Sequence, residues 1–193
     1  NVKASTFMTD PFFPEEFYHV YSRTIGEELL FRTEENCIYF LKKYQTYCSL
    51  YFSTLAYCLL PNHFHFLIRV KENTKPEAAL GSFSNFLNSY AKSYNKLYDR
   101  HGGLFQRKFK RKRVGQESYL SQVIIYIHKN PQKHGIVKDF KSWKFSSFNA
   151  MISQKPTNIE RDFVLDWFGG LEQFKKVHEL EQVLDLIEDL SLE

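Results

Sequence analysis

The amino-acid sequence predicts an α+β fold, with helices on one face of a four-stranded antiparallel sheet and a helical extension at the C-terminus. Three observations support this prediction. Segments with the two-residue period of strands alternate with segments of helical period, in the order β-α-β-β-α-β-α. A Pro-Asn pair at 61–62 joins two consecutive strands as a hairpin. Long helical segments separate the other strands, and this order is typical of the ferredoxin-like (split βαβ) fold.

The first half of the chain contains three predicted strands and one predicted helix. Residues 17–24 combine aromatic and β-branched side chains, which favour a strand. Residues 33–49 have helical spacing, with Thr33 as the N-cap and two glutamates that complement the helix dipole in the first turn. Two further strands are predicted at 50–60 and 63–70, on either side of the Pro-Asn turn.

The second half of the chain continues with a long helix and a short strand. Residues 77–98 carry an apolar stripe at helical spacing, and residues 104–114 contain the fourth strand. A third helix is predicted to begin at Gln116 or Ser118. It should end near Asn130, because the proline that follows disfavours helical geometry in the residue before it.

Charge divides the chain into two parts. Residues 151–193 hold 10 acidic and 4 basic side chains, a net charge of −6. Because the whole chain has a net charge of +4, residues 1–150 carry +10. A basic body indicates a polyanionic partner, because fixed cations release counterions from phosphates. The acidic part contains amphipathic segments at 160–168 and 171–190. We therefore expect a flexible N-terminus, one main domain and an acidic helical extension, with the bounds 1–14, 15–150 and 151–193.

Composition excludes several classes of protein. Hydrophobic residues make up 43% and charged residues 25% of the chain, which is typical of a globular rather than a disordered protein. No apolar run reaches the roughly 20 residues needed to span a membrane. The cysteines are odd in number and lack CxxC spacing, so we expect free, buried thiols in a reducing cytoplasm. These cysteines are Cys37, Cys48 and Cys58.

His63 and His65 alternate with phenylalanines in a predicted strand. Because alternate side chains of a strand share a face, both imidazoles should lie on one side, with Phe64 and Phe66 in the core. Two imidazoles on a rigid strand suit a divalent cation. Two ligands do not complete a metal site, so a third must come from elsewhere in the chain. A structural pair that binds nothing is the alternative interpretation of these two residues taken alone.

The predicted third helix offers a further ligand and a nucleophile. Tyr119, Val123, Tyr126 and Asn130 fall on one helical face, which places Tyr126 and Asn130 one turn apart. The amide oxygen of Asn130 can bind Mg²⁺ or Mn²⁺. A nearby cation would favour the phenolate form of Tyr126. The chain has 12 tyrosines, so ordinary packing is the alternative role for Tyr126 taken alone.

A run of six cations in seven residues lies in the fourth predicted strand. Its members are Arg107, Lys108, Lys110, Arg111, Lys112 and Arg113. Such a run is often a solvated edge strand that its charge protects from aggregation. Here its density favours a nucleic-acid groove, with Phe105 and Phe109 as possible base-stacking surfaces.

Several sequence blocks occur in the order found in one family. They are YHVYSR at 18–23, AYCLLPNHFHFLI at 56–68, GLFQR at 103–107, YIHKNP at 126–131, HGIV at 134–137 and WKFSSF at 143–148. Together they resemble the HUH single-tyrosine transposases of small insertion sequences, and especially the REP-associated tyrosine transposases. The resemblance covers about 17–150, and Leu60, where the family commonly has Met, is a volume-conserving difference.

This resemblance implies a function and a set of roles. It implies a metal-dependent transposase and endonuclease that cleaves and rejoins one strand of single-stranded or hairpin DNA through a 5′-phosphotyrosine. Tyr126 would be the nucleophile. His63, His65 and Asn130 would hold Mg²⁺ or Mn²⁺, although some members of the family have Gln in place of Asn130. The residues expected to contact DNA are Arg23, Arg107, Lys108, Lys110, Arg111, Lys112 and Arg113.

Two alternative functions and the number of subunits stay open. A domesticated, non-catalytic module that binds single-stranded nucleic acid could share the topology. Another metal-dependent hydrolase would release its product without a covalent stage. The chain could be a monomer or a homodimer that exchanges the tyrosine helix. The acidic segment 171–190 could pack on the main domain or on a second copy. No membrane partner is expected.

Overall fold

An antiparallel sheet forms the centre of the structure, a computed structural model that describes residues 10–106, 108–115 and 117–180. Its strands are β1 (Phe17–Arg23), β2 (Phe52–Leu60), β3 (His63–Val70) and β4 (Lys110–Arg113). They lie in the order β2-β3-β1-β4, and every neighbouring pair is antiparallel. This arrangement confirms the predicted ferredoxin-like sheet.

Two helices cover one face of the sheet, as predicted. They are α1 (Glu34–Cys48), whose N-cap is Thr33, and α2 (Pro76–Leu97). Their core is aromatic: the ring of Phe40 in α1 lies 4.7 Å from that of Phe86 in α2, and Tyr44 stacks on Phe66 of β3 at 4.3 Å. These rings hold the two helices against the sheet. None of the helices within the described ranges is long and apolar enough to cross a bilayer.

The opposite face of the sheet is covered by α3 (Glu117–Lys133) and by the chain that follows it. The later helices are α4 (Phe148–Ile152), α5 (Arg161–Trp167) and α6 (Leu171–Glu179), after a 3₁₀ turn at Phe140–Ser142. Val164 and Phe174 are fully buried in this second core, so the extension packs on its own chain as far as residue 180. Residues 181–190 of the amphipathic segment lie outside the described residues.

The prediction that the third helix ends near Asn130 is wrong. The helix continues through Pro131 to Lys133, because a proline this close to the end of a helix removes only one hydrogen bond. The stop signal is Gly135, whose φ of +66° suits glycine. Its N–H donates to the carbonyl of Gln132 at 3.0 Å, and the next N–H donates to that of Pro131 at 2.9 Å. This pattern is a Schellman motif.

Part of the N-terminal segment expected to be flexible is packed against the sheet. Phe12 is 1% exposed and lies edge-on to Tyr18 and Phe52, with ring centroids 5.0 and 5.1 Å apart. The hydroxyl of Tyr18 donates to the carbonyl of Pro11 at 2.7 Å. A large aromatic side chain of this stretch thus completes the core. The prediction of free, buried thiols is confirmed for all three cysteines.

A chain of buried hydrogen bonds joins α3 to α6 and β2. Nδ1 of His178 lies 2.8 Å from the carbonyl of Phe174, so this nitrogen donates and Nε2 of His178 accepts from Nδ1 of His128 at 2.9 Å. Nε2 of His128 then accepts from the hydroxyl of Ser147 at 2.8 Å, and this hydroxyl accepts from the N–H of Tyr57 at 2.9 Å. Every polar atom of both imidazoles is satisfied when both rings are neutral.

Burial keeps this histidine pair neutral. It lowers the pKa of His178 to about 4 and holds the pKa of His128 well below its usual value. The unfolded chain takes up protons near pH 6.5, whereas the folded chain does not, so acid favours unfolding. The free energy of unfolding is therefore not reduced by this pair above about pH 6.5, and it falls as the pH is lowered from about 6.5 to about 4. The decrease is about 1.4 kcal/mol per pH unit for each histidine that stays neutral.

We predict that the substitution His178→Leu destabilises the fold in a pH-dependent way. At pH 7.5 it should lower the free energy of unfolding by about 1–3 kcal/mol, because the N–H of His128 loses its acceptor. The difference in free energy of unfolding between variant and wild type should be smaller at pH 5, because the wild type is itself destabilised there by keeping His178 neutral. Urea unfolding at both pH values measures this difference.

The matched control for this experiment is His101→Leu, since His101 is an exposed histidine far from the pair in sequence. It should leave the free energy of unfolding nearly unchanged at both pH values. A deficit for His178→Leu that is equal at pH 7.5 and pH 5 would contradict the proposed neutral pair.

Candidate active site

Strand β3 divides its side chains between the two faces of the sheet. Phe64 and Phe66 pack under α1 and α2, whereas His63 and His65 lie on the side of α3, with ring centroids 5.1 Å apart. His65 is 1% exposed, and Nδ1 of His63 lies 2.7 Å from the amide oxygen of Asn62. The prediction that the two imidazoles share a face is confirmed.

A third histidine, His19 of β1, lies against His65. The register pairs Tyr21 with His65, which makes His19 the diagonal cross-strand neighbour of His65 on the same face. Nε2 of His19 lies 2.9 Å from Nδ1 of His65, and the rings are nearly parallel, at 14°. Burial lowers the pKa of His19 to about 3 and that of His65 well below its usual value. Both rings are therefore neutral near pH 7.

Helix α3 brings Tyr126 to the same place. The ring centroid of Tyr126 lies 5.6 Å from that of His65 and 6.0 Å from that of His19, and both contacts are edge-on. Asn130 follows one turn later and is fully buried. Nζ of Lys133 lies 5.1 Å from the centre of the Tyr126 ring. Residues from β1, β3 and α3 thus converge on the α3 side of the sheet.

The side chains in this cluster fit a divalent cation. Nε2 of His65 and both amide atoms of Asn130 are buried without a hydrogen-bond partner. Buried polar atoms seldom stay unsatisfied unless a water, an ion or a functional role explains them. No three His, Cys, Asp or Glu side chains within the described ranges are placed to hold a metal ion together. An amide oxygen such as that of Asn130, buried and without a hydrogen-bond partner, is of the chemical type that Mg²⁺ or Mn²⁺ binds.

A pocket of about 250 Å³ opens onto His63 and His65 from solvent. Its other walls include Tyr21, Arg23, Gln106, Lys108, Lys110 and His134. The ring of His134 lies 5.0 Å from that of His63. Tyr126, in contrast, is only 1% exposed. The pocket therefore brings solvent next to His63, and cationic side chains form part of its wall, whereas the ring of His65 stays buried.

The register of β4 separates the basic residues by face. Lys110 pairs with Tyr21 and Lys112 with His19, so both lie on the side of the histidines. Arg111 and Arg113 lie on the other side. Nε of Arg111 donates to the carbonyl of Asp10. Nε of Arg113 donates to the carboxylate of Glu16 at 3.0 Å.

The structure therefore brings only some of the predicted DNA-binding residues to the site. Arg23, Lys108, Lys110 and Lys112 lie on the site side, whereas Arg111 and Arg113 do not. Arg107 lies outside the described residues.

Two aromatic residues considered as base-stacking surfaces are part of the core instead. Phe109 is 6% exposed and lies 4.7 Å from Phe83, and Phe105 lies edge-on to Phe64 at 6.2 Å. Sequence reasoning also missed His19, Lys133 and His134 as neighbours of the site. A signal for His19 and His134 existed, since both lie within the sequence blocks that carry the resemblance.

Comparisons with known proteins agree with these observations. Residues 17–130 match the family of IS200-like transposases. A relative from Haemophilus influenzae that carries the name REP-associated tyrosine transposase is 33% identical over 118 residues, which cover 57% of this chain and 67% of the relative. A solved structure of a REP-associated tyrosine transposase bound to a REP hairpin shares the fold, with a TM-score of 0.61 at 19% identity. This match covers 80% of this chain and 90% of the other. The chain therefore belongs to the IS200-like transposase family.

Proposed function

We propose that this transposase cleaves and rejoins a single DNA strand through a 5′-phosphotyrosine formed on Tyr126, with the help of a divalent metal ion. The packing of Tyr126 against His65 carries the proposal, since the two rings lie 5.6 Å apart and His63 lies beside His65 on the same face. Hairpin DNA is the proposed substrate, because the structurally similar transposase was solved with a REP hairpin.

His63, His65 and Asn130 would hold Mg²⁺ or Mn²⁺. When bound there, the cation would supply Lewis-acid stabilisation of the charge that develops on the scissile phosphate. The strand keeps the two imidazoles in fixed positions, which lowers the reorganisation needed to bind the ion. The buried, unpartnered atoms of His65 and Asn130 support this ligand set.

Tyr126 would act as the nucleophile. Its oxygen forms a bond to phosphorus while the bond from phosphorus to the 3′ oxygen breaks. The phenol loses its proton, and the leaving 3′ oxygen takes one up. Lys133, at 5.1 Å from the ring of Tyr126, would favour the phenolate. Because the phosphotyrosine is still an ester, a 3′-hydroxyl can attack it later, reform a phosphodiester and release Tyr126 without ATP.

The burial of Tyr126 adds a requirement to this mechanism. A side chain that is 1% exposed cannot reach a phosphate in solution. The pocket that opens from solvent reaches His63 and His65. The DNA strand would therefore enter over the imidazoles, and the tyrosine or its covering side chains would move when it binds. Residues 126 and 130 share one helix, so such a movement would also adjust the ligand set.

Arg23, Lys108, Lys110 and Lys112 would contact the DNA backbone. They lie on the histidine side of the sheet, three of them at the pocket that leads to the imidazoles. Lysines at such a groove bind phosphates and position a strand without reading its sequence. Arg111 and Arg113 are engaged on the other face, so the basic surface at the site is narrower than the run itself.

We predict that Tyr126→Phe abolishes strand cleavage and leaves DNA affinity within about twofold of the wild type. The substitution removes the nucleophilic oxygen and keeps the buried ring, so the rate should fall by at least about 10³-fold. The measurement is a denaturing gel of end-labelled hairpin DNA incubated with protein and Mg²⁺, together with a gel-shift assay of binding.

The matched control is Tyr119→Phe, two turns earlier on the same helix, whose hydroxyl has no hydrogen-bond partner. It should form the protein–DNA adduct at nearly the wild-type rate. An adduct formed by Tyr126→Phe would refute the assignment. Binding by the wild type without any adduct would favour the non-catalytic binding module, and cleavage without an adduct would favour a hydrolase.

We also predict that chelation removes the activity and that Asn130→Ala weakens the response to metal. EDTA should abolish the adduct, and added Mg²⁺ or Mn²⁺ should restore it. Asn130→Ala should raise the metal concentration needed for half-maximal adduct formation by about 10-fold or more, because one ligand is lost. A metal titration of adduct formation tests both statements. An unchanged titration curve would remove Asn130 from the ligand set.

A further prediction separates the two faces of β4. Lys110→Ala should weaken hairpin binding and reduce the slope of log affinity against log salt concentration by about 1, because one phosphate contact is lost. Arg113→Ala changes the net charge equally but removes a side chain paired with Glu16 on the other face. It should leave the slope nearly unchanged. Equal effects of the two substitutions would show that the strand acts only through its net charge.

A further inference from the structure

We infer that His19 is a positioning residue for the proposed metal ligand His65. Nε2 of His19 accepts a hydrogen bond from Nδ1–H of His65, and Nε2 of His65 therefore keeps a lone pair for the cation. The two nitrogens, Nε2 of His19 and Nδ1 of His65, lie 2.9 Å apart. The inference rests on the proposed metal-dependent function and adds a residue of β1 to it.

The protons of the pair allow two arrangements. A neutral imidazole carries one N–H, so either ring can donate across the contact. If His19 donates, the proton of His65 lies on Nε2, and that nitrogen cannot bind a cation. If His65 donates from Nδ1, its Nε2 is a bare acceptor, and the proton of His19 lies on Nδ1. Binding of a cation at His65 therefore selects the second arrangement, which requires an acceptor at the place of Nε2 of His19.

The surroundings of His19 favour this role over simple packing. The ring is fully buried, and its Nδ1 has no hydrogen-bond partner. Its side-chain hydrogen bond is therefore the one with His65. An aliphatic residue would fill the space without burying an unsatisfied nitrogen. The ring is also fixed in orientation, since it stacks on Tyr21 at 4.8 Å and meets the edge of Tyr126 at 6.0 Å.

The other buried histidine pair of this chain provides an internal comparison. In the pair of His128 and His178, both nitrogens of each ring have partners, and the chain of hydrogen bonds ends on a backbone carbonyl. That network is closed and has no atom left to bind a ligand. The pair of His19 and His65 is open at one nitrogen of each ring. A buried imidazole nitrogen without a hydrogen-bond partner is the feature that a metal site requires.

Removing the acceptor should weaken metal binding in a defined way. A partner that accepts the second N–H of a ligating histidine fixes its tautomer and orientation and increases its basicity, and its loss typically costs about 10- to 100-fold in metal affinity. The variant His19→Leu removes the acceptor. The variant His19→Gln can place its amide oxygen near the position of Nε2 and thereby keep an acceptor for His65.

The experiment measures Mn²⁺ binding to the full chain without DNA. Metal-free wild type, His19→Leu, His19→Gln, His65→Ala and His101→Leu are titrated with Mn²⁺ and followed by the paramagnetic resonance of the free ion. We expect His19→Leu to bind about 10- to 100-fold more weakly than the wild type. His19→Gln should recover most of this loss. His101→Leu, which removes an exposed histidine, should bind like the wild type.

A second readout reports the tautomer directly. In ¹⁵N spectra of imidazole side chains with saturating Mg²⁺, His65 of the wild type and of His19→Gln should carry its proton on Nδ1. Should His19→Leu fail to fold, the wild type decides the question through the scalar coupling between the ¹⁵N nuclei of His65 Nδ1 and His19 Nε2, which, with the proton on Nδ1, is present only if the N–H of His65 is donated to His19. Absence of this coupling in Mg²⁺-saturated protein would overturn the inference, whereas a proton on Nε2 of His65 would remove that nitrogen from the metal site.

The outcomes distinguish this inference from the function on which it rests. Equal Mn²⁺ affinity of the wild type and His65→Ala would remove His65 from the metal site, and the role of His19 would fall with it. A loss of affinity in His65→Ala but none in His19→Leu would leave the metal site intact and make His19 a packing residue. Loss in His19→Leu without recovery in His19→Gln would also count against an acceptor role.

Discussion

The two-residue period of β3 is the constraint on which the rest of this structure depends. Phe64 and Phe66 enter the aromatic core under α1 and α2, and for that reason His63 and His65 lie on the opposite face. A slip of one residue in the register would bury two imidazoles among aromatic rings and move two phenylalanines to the side of α3. The aromatic core thus fixes the position of the candidate ligands, although it contributes no atom to their chemistry.

Helix α3 is positioned by the second core rather than by the site. Its residues Ile124 and Ile127 are buried, and His128 ties the helix to α6 and to the strand β2 through Ser147 and His178. Ile124 and His128 lie on a different face of the helix from Tyr126. The extension that follows the main domain is therefore part of the support of the tyrosine helix as far as residue 180. This explains why the same segment is amphipathic although it contributes no candidate ligand.

Local patterns in the sequence predicted the elements that depend on local rules. The alternation around His63 and His65, the cap at Thr33 and the spacing of Tyr126 and Asn130 each follow from one segment and its period. The end of α3 was not predicted correctly. It is set by Gly135 in its left-handed conformation, whereas Pro131 only removes one hydrogen bond.

Features that depend on how two strands pair could not be predicted in this way. The contact between His19 and His65 depends on the register of β1 with β3, and the division of Lys110 from Arg111 depends on the register of β4. The face of the sheet on which each cation of the run lies can be assigned only once the pairing of β4 with β1 is known. For the same reason Phe109 could be assigned to a DNA surface or to the core, and the core prevailed because its ring meets Phe83.

The unsatisfied atoms at the site link its function to the stability of the fold. Nε2 of His65, Nδ1 of His19 and the amide of Asn130 are buried without hydrogen bonds, and each such group destabilises a folded protein by about 1–3 kcal/mol. Evolution removes such groups easily when they serve nothing, since an apolar residue of similar shape is more stable in the same place. A cation bound only by the folded chain would offset this cost in proportion to its affinity. Binding of such an ion would therefore stabilise the folded chain and give a partner to Nε2 of His65 and to the amide oxygen of Asn130, which lack one otherwise.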